Sequence, residues 1–297
     1  MMTGLRDIVV VLDDSTPSEA RLAIAVALAK QHDAHLTGLS ALDVLMSKRS
    51  VLQRRRDPEA DTQHIAQVAD WSGLRSGDYL EAEAQAAETA ERIEATFKER
   101  LRIGHVEGDW RMTSGKLSEA AVLQARNADL VIVGQADPEH PPTGGPLVED
   151  LLMTAGRPIL IVPYVGRFET LGAKILVGWN NSREATRAVN DAIPLLAKAA
   201  SVTVLSARPS GRRPATHDAT GAEITRHLAR HGIRAEAAQT VMTRGSASDV
   251  LLSYAADVSA DLLVLGGYGH SRLRELVLGG VTRDLLHHMT LPVLMSH

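Results

Sequence analysis

The residues best placed to do chemistry are glycines near the end of the chain. Leu265-Gly266-Gly267-Tyr268-Gly269-His270-Ser271-Arg272 leads, through a short apolar-rich stretch, to Gly279-Gly280-Val281-Thr282-Arg283. Two residues separate Gly266 from Gly269, and nine separate Gly269 from Gly279. A glycine has no Cβ, so backbone N–H groups on either side of it can approach phosphate oxygens closely. The second pair, Gly279-Gly280, stands where a helix should open, and a helix N-terminus adds unpaired N–H donors and a positive dipole end. Thr282 offers a hydroxyl, and Arg272 and Arg283 offer charge. The bland alternative is two tight turns at strand and helix ends. His270 reads as a loop histidine within reach of a phosphate or simply exposed. No Gly-x4-Gly-Lys-Ser/Thr sequence is present and no catalytic base lies in the motif, so binding is expected, with any turnover slow.

The elements that must position this loop come from a repeat. Ile8-Val9-Val10-Val11-Leu12-Asp13-Asp14-Ser15 corresponds to Ile175-Leu176-Val177-Gly178-Trp179-Asn180-Asn181-Ser182, 167 residues later. Ala128-Asp129-Leu130-Val131-Ile132-Val133-Gly134 corresponds to Ala260-Asp261-Leu262-Leu263-Val264-Leu265-Gly266, 132 residues later. Arg157-Pro158-Ile159-Leu160-Ile161-Val162 corresponds to Leu291-Pro292-Val293-Leu294-Met295-Ser296. The first copy is therefore longer by about 35 residues, mostly between Leu42 and Asp78. Its Arg54-Arg55-Arg56 run reads as a solvated surface excursion, with a lid or partner surface as the alternative.

Each copy alternates five strands with four helices. The strands are short continuous apolar runs, the mark of parallel strands buried on both faces. They are expected at 7–12, 35–40, 106–112, 129–134 and 158–162, then at 174–179, 201–206, 235–241, 261–265 and 292–296. A helix is expected over 79–103, where Ala82, Ala86, Ile93 and Phe97 recur at helical spacing. The fold class is α/β, two tandem doubly wound parallel-sheet domains, 1–165 and 171–297. The linker 163–170 is too short for much independent motion.

Composition excludes other classes. The 297 residues carry 32 basic and 36 acidic side chains, net −4, so no basic field exists to hold nucleic acid. Aromatics are three Trp, four Tyr and two Phe, too few for a stacking surface. The absence of cysteine excludes disulfides, thiolate metal sites and cysteine nucleophiles. No secretory signal or membrane-spanning run is evident, and a cytoplasmic location is expected. His287 and His288 point about 100° apart on a helix and do not form a joint metal site. Ser15 and Ser182 lack a readable His and acid for a triad.

On the repeat and the glycine spacing the chain resembles the universal stress protein family, as a tandem pair of its domains. The family's nucleotide motif is Gly-x2-Gly-x9-Gly-Ser/Thr, matched by Gly266, Gly269 and Gly279. Gly280 stands where the family has Ser or Thr, so one phosphate-directed hydroxyl is missing. The family's acid at the end of the first strand is kept as Asp13 in copy one, where it reads as a helix-start or turn residue ahead of a ligand contact. In copy two it is replaced by Asn180, which reads equally as a helix-start residue. Copy one follows its fourth strand with Gly134-Gln135-Ala136-Asp137-Pro138 and further prolines. These add negative charge and remove backbone donors. The resemblance implies an adenine nucleotide of the ATP type, with or without Mg2+, in the second domain only. Asn180, Leu265, Gly266, Gly269, His270, Arg272, Gly279, Gly280, Val281 and Thr282 would line that site. It further implies an intrachain pseudo-dimer through Ile159–Val162 and Val293–Ser296, with a homodimer left open, and a sensor or adaptor in the stress response. A non-nucleotide interaction scaffold and a slow ATPase are the alternatives.

Overall fold

A computed structural model describes residues 4–41, 76–137, 147–209, 221–242, 246–267 and 280–297. The strands of the first half are β1 (Asp7–Val11), β2 (His35–Ala41), β3 (Gly108–Thr113), β4 (Leu130–Gly134) and β5 (Ile159–Val162). Its helices are α1 (Thr16–His32), α2 (Ser76–Gly104), α3 (Leu117–Ala125) and α4 (Leu147–Thr154). In the second half the strands are β6 (Lys174–Gly178), β7 (Ser201–Pro209), β8 (Ala235–Met242), β9 (Leu262–Gly266) and β10 (Val293–Ser296). The helices there are α5 (Arg183–Leu196), α6 (Ala222–Arg230), α7 (Ala247–Asp257) and α8 (Gly280–His288). The expected helix over 79–103 is α2, one turn longer at its start. The rest of the extra segment, 42–75, lies outside the described residues.

All ten strands form one sheet, ordered β3-β2-β1-β4-β5-β10-β9-β6-β7-β8. Within each half every pairing is parallel. The halves meet where β5 and β10 run antiparallel, with Ile161 opposite Val293, Leu160 opposite Leu294 and Ile159 opposite Met295. Burial explains why these short strands are apolar throughout. The side chains of Ile8, Val10, Ile132, Leu160, Ile175, Val264 and Leu294 join a core under α1, α2, α5 and α6. Those of Val9, Val11, Val131, Ile159, Leu176, Leu263 and Val293 join a second core on the other face, under α3, α4, α7 and α8. A strand with helices on both faces has no polar side to show. The two outermost strands, β3 and β8, show mixed exposure throughout, with α2 packed on one and α6 on the other.

In both halves the strand order reverses between the first and fourth strands, and the helices that follow those two strands lie on opposite faces of the sheet. That reversal opens a crevice beyond the carboxyl ends of those strands. The two crevices are in register. Ile8 pairs with Leu130 and Val10 with Ile132; Ile175 pairs with Leu262 and Val177 with Val264. Asp13 and Gly134 therefore occupy the same places in the first half as Asn180 and Gly266 in the second.

Candidate functional site

In the first half the crevice is filled by the protein itself. Asp13 follows β1 and turns the chain into α1: its Oδ1 accepts from the Ser15 N–H at 3.0 Å and from the Ser15 hydroxyl. Its Oδ2 accepts from Arg21 Nη2 at 2.8 Å, and the same Nη2 donates to Ser18 Oγ at 3.1 Å. Arg21 is 4% exposed. Its guanidinium lies over Gly134 at the end of β4, where any Cβ would overlap Nη1. Gly134 is thus a glycine because Arg21 rests on it. Burial alone would raise the Asp13 carboxyl. The Arg21 charge, together with hydrogen bonds from Ser15 and Arg21, outweighs burial and holds it below the usual carboxylate range.

The second half solves the same corner differently. The place of Arg21 is taken by Ala188, which is buried. Without a large side chain between them, α5 drops directly onto the end of β9. A Cβ on Gly266 would overlap Ala185 N and the Glu184 carbonyl carbon, and would lie 2.8 Å from Glu184 Cβ. Close helix-to-strand contact accounts for this glycine. Asn180 makes an Asx turn: its Oδ1 accepts from the Ser182 N–H at 3.0 Å. Ser182 in turn caps α5, its hydroxyl accepting from the Ala185 N–H at 3.1 Å. The turn role expected for Asn180 is therefore realised. Its exposed Nδ2 makes no hydrogen bond among the described residues. The Asn180 amide carries N–H donors, whereas the Asp13 carboxylate only accepts.

Electrostatics separates the helix N-termini around this second crevice. Glu184 is 9% exposed and closes the start of α5. Its carboxyl is held below the ordinary range, first by its own backbone N–H, then by Arg183, Ser182 and His297, against the upward push of burial. An ionised carboxylate there satisfies the dipole of α5 and repels a second anion. Helix α8 is the opposite case. Acidic residues stand in the first turns of α1, α3, α4, α5, α6 and α7, whereas α8 has none and carries Arg283.

Of the ten residues expected to line the site, Gly269, His270, Arg272 and Gly279 lie outside the described residues. Leu265 is buried, and its side chain packs over Gly178, so only its backbone can face a ligand. Gly280 opens α8, and among the described residues nothing lies within 4 Å of where a Cβ would stand. Val281 is exposed and Thr282 is buried. The side chain of Thr282 thus belongs to the packing of α8 more than to an open surface. Among the described residues no group of three or more His, Asp or Glu is arranged to hold a metal. No described helix is long and apolar enough to cross a membrane.

A sequence model of the universal stress protein family matches residues 4–163 and again residues 173–297. The chain belongs to the universal stress protein family. It carries two of the family's units in tandem. A universal stress protein from Archaeoglobus fulgidus DSM 4304 superposes with a TM-score of 0.69 at 13% identity, covering 98% of this chain and 97% of that one. One from Pseudomonas aeruginosa UCBPP-PA14 superposes with a TM-score of 0.56 at 19% identity, over 98% and 93% of the two chains. At these identities the likeness is one of fold. The universal stress protein Slr1230 of Synechocystis is 42% identical over 50 residues, a stretch that spans 17% of either protein.

Two residues that shape the crevices are not flagged by motif or spacing. Arg21 falls on the buried stripe of α1, in line with Ala25, Leu28 and His32. A charged residue on an apolar stripe was the available signal. Gln135 follows Gly134 and is 8% exposed, with its side chain reaching into the second half. Nothing local in the sequence marks that contact.

Proposed function

We propose that the second half of this universal stress protein binds an adenine nucleotide of the ATP type, and that occupancy makes it a cytoplasmic sensor or adaptor. The observation that carries this reading is α8. It opens on Gly280 at the end of the glycine loop, has no acidic residue in its first turn, and presents Arg283 there. A helix N-terminus, with the positive end of its dipole, is a natural seat for phosphate. Gly266, Gly269 and Gly279 themselves carry no Cβ, and His270 and Arg272 lie in the loop between them. Asn180 supplies donors to acceptor atoms of the ribose or base. Nothing in the arrangement supplies a base for hydrolysis, which favours binding over turnover.

One universal stress protein has been solved in complex with cAMP, and one from Archaeoglobus fulgidus in complex with dAMP. Those ligands join ATP and AMP as probes. The test is calorimetric titration of ligand-stripped protein with each nucleotide, with and without Mg2+. One site per chain is expected. An absence of heat at sub-millimolar nucleotide overturns the reading, and the interaction scaffold then takes its place.

A further inference from the structure

We infer that Gln135, in the first half, is a positioning residue for the nucleotide helix of the second half. The residue directly follows β4, at the lip of the crevice that Arg21 fills. Its backbone N–H continues the ladder by donating to Val162 O at 2.8 Å. Its side chain crosses to α8. Nε2 donates to Leu286 O at 2.7 Å and, more weakly, to His287 O at 3.4 Å. Oε1 accepts from the Tyr164 N–H at 3.3 Å. Carbonyls on one side and an N–H on the other fix which end of the amide faces which way.

The partners matter because of where they lie. The last four carbonyls of a helix have no acceptor role within it and need donors from elsewhere. For α8 two of them are met by a side chain about 150 residues away in the sequence. The same helix begins at Gly280. Its carboxyl end is thus held by the first half while its amino end faces the glycine loop. The brace runs in one direction. The residue matching Gln135 in the second half is Gly267, which repeats the backbone bond by donating to Ser296 O at 2.8 Å but has no side chain to reach α4. In its place a Cβ would meet only Leu152 Cδ2 and Ser296 O at 3.7 Å. A glycine loop and a bracing side chain make opposite demands on this position, and each half meets one of them. The first half, whose own crevice is filled, sets the angle at which α8 presents its donors.

The nucleotide part of this inference rests on the function proposed above; the brace itself does not. The test uses the full chain with Gln135→Glu, which keeps the acceptor for Tyr164 and turns the donor into a carboxylate facing two carbonyls. Hydrogen exchange is read separately over α8 and α4, followed by nucleotide titration. The expected result is exchange over α8 faster by about tenfold or more, the size of one lost buried hydrogen bond with its acceptors left unpaired. Exchange over α4 stays within about twofold, a difference too small to count as a lost bond. Nucleotide Kd rises roughly three- to tenfold, the share of that bond felt at the other end of the helix. Gln135→Lys, which returns a donor to a helix carboxyl end, restores most of both. Unchanged exchange over α8, or equal loss over α4 and α8, overturns the brace. Looser exchange with unchanged nucleotide affinity overturns the positioning role. If the unaltered protein takes up no nucleotide, the proposed function fails while the exchange measurement still decides the brace.

Discussion

At the end of β1 a guanidinium is folded back over a glycine; at the end of β6 the matching place holds the methyl group of Ala188. The two crevices have the same register and the same reversal of order, yet among the described residues the first contains a cation of its own and the second does not. What differs is which part of the protein rests on the strand end. In the first half it is a side chain, and Asp13 is consumed in pairing with it. In the second it is helix backbone, and Asn180 keeps its donors. A fold can thus close a ligand site without losing a strand or a helix, by letting one long side chain occupy the corner.

That contrast can be broken directly. Gly266→Ala sets a methyl group against the backbone of Glu184 and Ala185, which cannot step aside. It is expected to cost about 3 kcal/mol or more in urea unfolding, the upper range for overpacking. Gly134→Ala meets the end of a side chain instead, and displacing Arg21 should cost about 1–2 kcal/mol. Combined with Arg21→Ala, the Gly134→Ala change should add almost nothing, because the clash is gone. Equal costs for the two glycines would sink the distinction between side-chain and backbone packing.

Acid provides a second measure, at the far end of α1. His32 is buried, neither ring nitrogen has a partner, and Lys198 of the second half lies nearby. Burial, and then the Lys198 charge, push its pKa down to about 4. The unfolded chain therefore binds a proton that the folded chain refuses. Stability is complete above about pH 6.5, falls as the pH is lowered, and levels off below about 4, a loss of about 3 kcal/mol at most. The matching residue in the second half is Ala199, so His32→Leu should flatten this slope for the whole protein. A slope that persists in His32→Leu would place the acid sensitivity elsewhere.

The smallest expected change sharpens the second crevice. Gly280→Ser meets nothing within 4 Å among the described residues and restores a hydroxyl at the start of α8. Stability should move by less than about 0.5 kcal/mol. Nucleotide affinity should rise about fivefold, the return on one added hydrogen bond. An unchanged or weaker affinity would mean that phosphate does not sit at this helix.

Most of the scaffold was legible. Continuous runs such as Leu130–Val133 and Leu262–Leu265 could only be buried parallel strands, and the repeat supplied the topology. The boundaries that moved lie at element ends, as with β3, which runs Gly108–Thr113 where 106–112 was expected. The expectation of phosphate binding at the glycine loop rests on its spacing. What the spacing concealed was the division of labour at its first member, because a glycine required by α5 and one required by a phosphate are the same letter. Arg21 and Gln135 were hidden for a related reason. Their partners, Gly134 and Leu286, are far away in the sequence, and polar side chains that spend their hydrogen bonds inside a fold look like surface residues until it closes.

The antiparallel seam between β5 and β10 has a consequence for how such a molecule can change over time. In an assembly of two identical subunits every substitution is made twice, so a residue that blocks one pocket blocks both. Here the two sides of the seam are encoded separately. Because they share one chain, their association does not weaken on dilution. One side is free to fill its crevice with a side chain while the other does not.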